Sequence, residues 1–127
     1  MLREDEGCNY VICLGHLGID DESAGNRSID LLEKVEGIDV FIDGHSHSTL
    51  EDVKAAAGGT GKVGDTLVTS TGTKLESVGV VTIDGETGRI DASTVSAASL
   101  TDEDADVAAR AAAIAMRDDI RRFVTIV

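Results

Sequence analysis

A chain of 127 residues is one domain or a piece of one, long enough to bury a core. Hydrophobic residues make up 42%, which places it among globular rather than disordered sequences, and a formal charge of −13 argues against nucleic acid or an anionic membrane as partner. Aromatics amount to 2% and proline is absent, so the core must rest on Val, Ile, Leu and Ala. No run reaches the roughly 20 apolar residues of a membrane span. The charged start Met1-Leu2-Arg3-Glu4-Asp5-Glu6-Gly7 does not read as a signal peptide. The acidity suits a cation-binding protein, though it equally serves solubility.

Residues 9–14 read as the first strand, with Val11 and Cys13 on one face and Ile12 and Leu14 on the other. Both faces are apolar, which predicts a central strand covered on both sides. Cys8 and Cys13, if extended, lie about 17 Å apart, beyond disulfide reach, so both are expected as free thiols. An acidic loop from Asp20 to Ser28 follows. Ser28 to Val35 then has helical spacing, with apolar positions at 29, 32 and 35 and Gly37 as a stop. Asp39 to Ile42 is the second strand, so the order is strand, helix, strand. That order predicts a right-handed parallel crossover with the two strands side by side.

The second half differs in character. Glu51 to Ala57 reads as a short helix or a loop, and Gly58-Gly59-Thr60-Gly61 as a flexible surface loop; it lacks the G-x-x-x-x-G-K-[ST] of a phosphate loop. Thr66 to Ser70 and Leu75 to Asp84 are strand-like. Asp84-Gly85-Glu86-Thr87-Gly88 is a hairpin turn, returning through Arg89 to Val95. A last helix starts at Thr101-Asp102-Glu103-Asp104, whose carboxylates favour a helix amino terminus. It runs through Ala115-Met116 to arginines at 117, 121 and 122, before a β-prone tail, Phe123 to Val127. The chain thus reads as α/β over 1–97, with 98–127 a helical linker and tail.

The chemistry-bearing residues cluster at strand ends. The chain has three histidines, His16, His45 and His47, and each lies at the carboxyl end of a predicted strand, near a glycine. Ligand sites in α/β sheets gather at the carboxyl ends of strands. In extended backbone, residues i and i+2 leave the same face with α-carbons roughly 6.6 Å apart. The His45 and His47 rings are therefore expected to reach one metal, or one each of two metals about 3.5–4 Å apart. The parallel crossover would bring His16 beside them.

Three stretches together resemble a known family. They are Val11-Ile12-Cys13-Leu14-Gly15-His16-Leu17-Gly18, the helix ending in Val35-Glu36-Gly37-Ile38-Asp39-Val40, and Asp43-Gly44-His45-Ser46-His47-Ser48. They resemble the calcineurin-like metallophosphoesterases, most of all the 5′-nucleotidase and 2′,3′-cyclic phosphodiesterase branch. Thr69-Ser70-Thr71-Gly72 to Val78-Gly79-Val80-Val81 resembles that branch too, so the likeness covers about residues 8–97. The resemblance implies half of an αββα sandwich and a site for two divalent metals (Mn, Zn, Mg or Fe). His16 and His45 would bind one metal and His47 the other. Asp43 stands where many relatives have Gly, and is either a carboxylate that orients a ligand histidine or a strand-end Asp facing water. Gly15 is a departure as well, because relatives often carry Ser or Ala there. The family's amino-terminal motifs, D-x-H, a G-D-x-x-D type and G-N-H-[DE], are read as missing. With them go the bridging Asp and the Asn-His pair. The carboxyl-terminal nucleoside-holding domain is read as missing too.

Two function classes follow. The first is a fragment of a dinuclear-metal phosphoesterase, acting on nucleotides or other phosphate esters in the intact enzyme and inactive alone. Asp43 and Asp20 are the candidates here for metal-binding carboxylates. The second is a non-catalytic metal-binding or structural module. For either, self-association or a complementing amino-terminal half is the expected partner, with no nucleic acid and no membrane. Relatives of this branch are often periplasmic or cell-surface, whereas this chain shows no export signal.

Overall fold

The apolar run at residues 40–42 becomes the strand β2 (Val40–Ile42), in which Val40 and Phe41 are buried. A computed structural model describes residues 2–125, and the chain divides into two units, Met1–Ala97 and Ala98–Val127. In the first unit, β1 (Ile12–Leu14) and β4 (Thr66–Thr69) flank β2, both parallel to it, and a two-residue β3 (Lys62–Val63) pairs antiparallel with β4. The sheet order is β1-β2-β4-β3. Among the described residues this is a mixed α/β fold.

Register decides which side chains make the core. Cys13, Phe41 and Val68 are partners across three strands, so they share a face. Leu32 from α1 (Ser28–Leu32) and Val53 from α2 (Leu50–Ala56) join Phe41 and Val68 in one buried cluster, with Cys13, Leu17, Ile19, Ile38 and Val63 packed around it. Phe41 is the large side chain at its centre, so this aromatic-poor core depends on one ring.

The expectation of a central first strand is overturned. β1 lies at the sheet edge, and Ile12 and Leu14 on its second face are 50% and 78% exposed. An apolar alternation marks what a strand is able to bury, while its place is set by which neighbours pair with it. The strand is also shorter than residues 9–14, for an identifiable reason. The Val11 carbonyl still accepts from Asp39 N–H at 2.9 Å, but the Val11 N–H goes to the Asp39 carboxylate at 2.6 Å, so a side chain takes over one of its two ladder bonds where β1 would have begun. Cys8 and Cys13 are free thiols, as expected.

The first helix stops at Leu32 rather than Val35. Lys34 N–H turns back to the Leu31 carbonyl at 2.9 Å, a three-residue closure, and Val35 is 38% exposed. With no core to bury Val35, a further turn gains nothing. At its other end the Asp30 carboxylate accepts from Arg27 Nε and Nη2 at 3.0 and 2.9 Å, and from the Gly25 and Arg27 N–H groups at 2.7 and 3.1 Å. The hydrogen-bonded Arg27 guanidinium, helped by those amides and opposed by partial desolvation, holds Asp30 well below the ordinary carboxylate value of 3.8. A depressed folded-state value contributes stability above the unfolded value and loses it as pH falls through the folded one. The stability difference between the wild type and Asp30→Asn, from urea unfolding at each pH, should be constant from pH 7 to about 5 and shrink below about 4. A difference unchanged down to pH 2 would count against the ion pair.

Residues 51–57, open between helix and loop, form α2 because Thr49 caps it. Thr49 Oγ1 accepts from Asp52 N–H at 3.2 Å while the Asp52 carboxylate accepts from Thr49 N–H at 2.8 Å. The glycine stretch at 58–61 is a set of turns feeding β3, a strand not anticipated, and Gly61 at φ +73° is buried and accepts from Val68 N–H. The antiparallel hairpin of β5 (Ser77–Ile83) and β6 (Ile90–Ser96) forms as expected, with Asp84 Oδ1 accepting from Glu86 and Thr87 N–H in the turn. The hairpin lies against β4 and α2.

The second unit is helical. Thr101 and Asp104 close a short 3-10 turn at Asp102–Asp104, and α3 (Val107–Thr125) begins only after Asp106, whose Oδ1 accepts from Ala109 N–H at 2.8 Å. The helix therefore starts later than the Thr101 signal suggests. It also takes in Phe123 to Thr125, read above as β-prone; Ile126 and Val127 lie outside the described residues. No helix among the described residues is long and apolar enough to cross a membrane.

Candidate functional site

The parallel pairing of β1 and β2 puts the residues after each strand at one edge of the sheet. Gly15 N–H bonds to the Ile42 carbonyl at 2.9 Å, and Asp43 N–H to the Thr69 carbonyl at 2.8 Å. His16 and His45 leave these adjacent ends and meet edge-to-face, with ring centroids 5.2 Å apart. The juxtaposition expected from strand–helix–strand order is present for this pair. His47 instead lines a cleft of about 490 Å³ with Thr49, Thr71, Thr73, Glu76 and Ser77.

Glycines make the meeting possible. A Cβ on Gly44 would lie 2.9 Å from His16 Nδ1, and one on Gly18 would lie 3.3 Å from His45 Cδ2. Each loop thus gives up a side chain where the other loop places its ring. The glycine beside each histidine was visible in the sequence; the exchange of space between the loops was not.

The extended geometry assumed for the His-x-His pair is not what forms. His45 has φ 76° and His47 φ 54°, both left-handed. Ser46 N–H bonds to the Gly44 carbonyl at 3.0 Å, closing a γ-turn around His45 whose positive φ is the rarer, strained sign. The i, i+2 argument therefore does not apply. Strain of this kind costs on the order of 1–3 kcal/mol per residue and clusters at working sites.

Asp43 is buried, at 8% exposure, so it is not a strand-end carboxylate facing water. Its Oδ1 accepts from the N–H groups of Leu17, Gly18 and Gly44 at 2.9, 3.3 and 2.8 Å, and its Oδ2 is buried without a hydrogen-bond partner. Asp43-Gly44-His45 also has the Asp-x-His spacing, so the pattern expected to be missing does occur in this chain, within the His45 loop. Asp20 is engaged in local structure, its Oδ1 accepting from Ser23 N–H at 3.0 Å. Serines knit the loops together: Ser46 Oγ accepts from Ile19 N–H at 3.2 Å and shares a hydrogen bond with Ser48 Oγ at 2.8 Å, while Gly72 N–H bonds to the Ser48 carbonyl.

A catalytic zinc centre takes three protein ligands and a structural one four. Among the described residues no group of three or more His, Cys, Asp or Glu converges to hold a metal ion. His16 and His45 bring two imidazoles together, fewer than the ligands either kind of centre takes.

Together these features define an α/β chain with a paired-imidazole site at the carboxyl ends of parallel strands. Over 53 residues, 42% of the chain, it is 36% identical to the trifunctional nucleotide phosphoesterase protein YfkN of Bacillus subtilis (strain 168), and the chain spans 3% of that protein's length. No family model matches the chain, and no solved structure matches it. Part of the chain is thus similar to a nucleotide phosphoesterase.

Proposed function

We propose that this chain is part of a metal-dependent phosphoesterase of the calcineurin-like kind, in its 5′-nucleotidase and 2′,3′-cyclic phosphodiesterase branch. Its sheet would be one half of the αββα sandwich, and the intact enzyme would hydrolyse phosphate monoesters of nucleotides. The observation that carries the reading is the His16–His45 contact at adjacent strand ends, with His45 held in a strained turn. His16, His45 and His47 are the proposed contributions to a site for divalent metal, the remaining donors coming from outside the described residues. The identity to a nucleotide phosphoesterase supports the substrate class.

The chain alone is expected to turn over no nucleoside monophosphate with added Mn²⁺. Turnover that His45→Ala abolishes would overturn that. Calorimetric titration with Zn²⁺ should show binding that His16→Ala/His45→Ala weakens at least tenfold; no binding by the folded chain would remove the metal reading.

A second reading is a non-catalytic module that binds metal or associates with itself. What favours it is the exposed edge strand β1, with Ile12 and Leu14 uncovered. Sedimentation without metal separates the two: a stable self-associated species supports this reading, and a monomer supports a chain that awaits a complementing half.

A further inference from the structure

Asp43 is a polar side chain buried at the strand ends, and such a group persists only where it is well bonded. Its bonds are unevenly shared: one carboxylate oxygen takes three backbone N–H groups and the other takes none. Two of those donors, Leu17 and Gly18, directly follow His16; the third, Gly44, directly precedes His45. One oxygen therefore joins the backbone on both sides of the ring contact. Among the described residues Asp43 makes no hydrogen bond to a histidine ring, so it does not steer either imidazole directly.

We propose that Asp43 is the positioning residue of the His16–His45 pair, acting through the backbone of both loops rather than on the rings. The two loops otherwise meet through the Gly15–Ile42 and Ile19–Ser46 hydrogen bonds and the Gly18 and Gly44 contacts. These fix the register before His16 and the approach of the loops, but leave the backbone directly after His16 and directly before His45 free to shift. The three amides at Oδ1 remove that freedom, because the donors bracket the pair. The unpartnered Oδ2 is the cost of aiming Oδ1 at all three. The inference uses the proposed function only for what the pair does; the placement itself stands on the geometry.

The test needs no metal and no turnover, so its failure is distinct from failure of the phosphoesterase reading. Ring-proton cross-peaks between His16 and His45 and amide hydrogen exchange are recorded on the metal-free chain and on Asp43→Ala and Asp43→Asn. Asp43→Ala should lose the His16–His45 cross-peaks while the core signals of Phe41 and Val68 persist. Asp43→Asn keeps an oxygen acceptor and should retain the cross-peaks. Its neutral oxygen should let the amides of Leu17, Gly18 and Gly44 exchange about tenfold faster, with Val68 unchanged. A folded Asp43→Ala chain that keeps the cross-peaks overturns the proposal. If Asp43→Ala does not fold, Asp43→Asn decides: selective acceleration at the three amides supports the clamp, and unchanged exchange there overturns it.

Discussion

Gly15→Ala should destabilise the first unit by about 3 kcal/mol, near the top of the range for overpacking. A Cβ at Gly15 would collide with Phe41 Cζ and Cε1. Phe41 is 1% exposed and surrounded by Leu32, Val53 and Val68, so the ring has nowhere to go. Phe41→Ala should itself cost about 3–5 kcal/mol through the cavity it leaves. The informative variant is the double one. In Phe41→Leu the obstructing ring edge is gone, so adding Gly15→Ala should cost far less than in the wild type, a coupling of about 1–3 kcal/mol. Urea unfolding of the four chains measures it. Additive effects would show that the ring yields easily and that the contact is not tight. The same contact explains the departure at Gly15 from the Ser or Ala that the resemblance implies, since Phe41 fills the space such a side chain would take.

Gly44→Ala should do the opposite, breaking the site and sparing the fold. Its Cβ would lie 2.9 Å from His16 Nδ1, and His16 is an exposed side chain that can swing away. Stability should change by no more than about 1 kcal/mol, because the clash is with a movable ring and not with the core. The His16–His45 contact should be lost, and any affinity of the pair for Zn²⁺ should fall about 10–100-fold, as when the support of a ligand is removed. Melting curves and ring cross-peaks report the two quantities separately. A large drop in stability with the contact preserved would show that His16 is more firmly held than its exposure implies.

The parts legible in the sequence are those fixed by local pattern. Residues 40–42 had to be a buried strand, and glycine at 84–88 within the hairpin turn had to return the chain. Strand–helix–strand order was enough to bring His16 beside His45. What failed depended on partners distant in the chain. The apolar alternation of residues 11–14 could not reveal that one face of β1 would lie open. Asp39, 28 residues after Val11, shortens that strand with its side chain. Thr66 to Ser70 reads only as strand-like, and nothing local reveals that β4 pairs parallel with β2 in the first sheet. An extended His-x-His was expected, whereas the chain makes a γ-turn at His45 and bonds to Ile19 and Gly72 through Ser46 and Ser48. Asp43 was singled out, but only its burial and three amide bonds distinguish a clamp from a solvated carboxylate.

The left-handed backbone at His45 and His47 changes what a neutral replacement is at these positions. Removing a ring with alanine keeps the Cβ that makes the conformation costly, so His45→Ala reports loss of the imidazole with the strain still in place. Glycine relieves that strain, and asparagine tolerates it better than most residues. A histidine at either position carries a backbone cost that glycine does not, and His45→Gly measures that cost as a gain in stability.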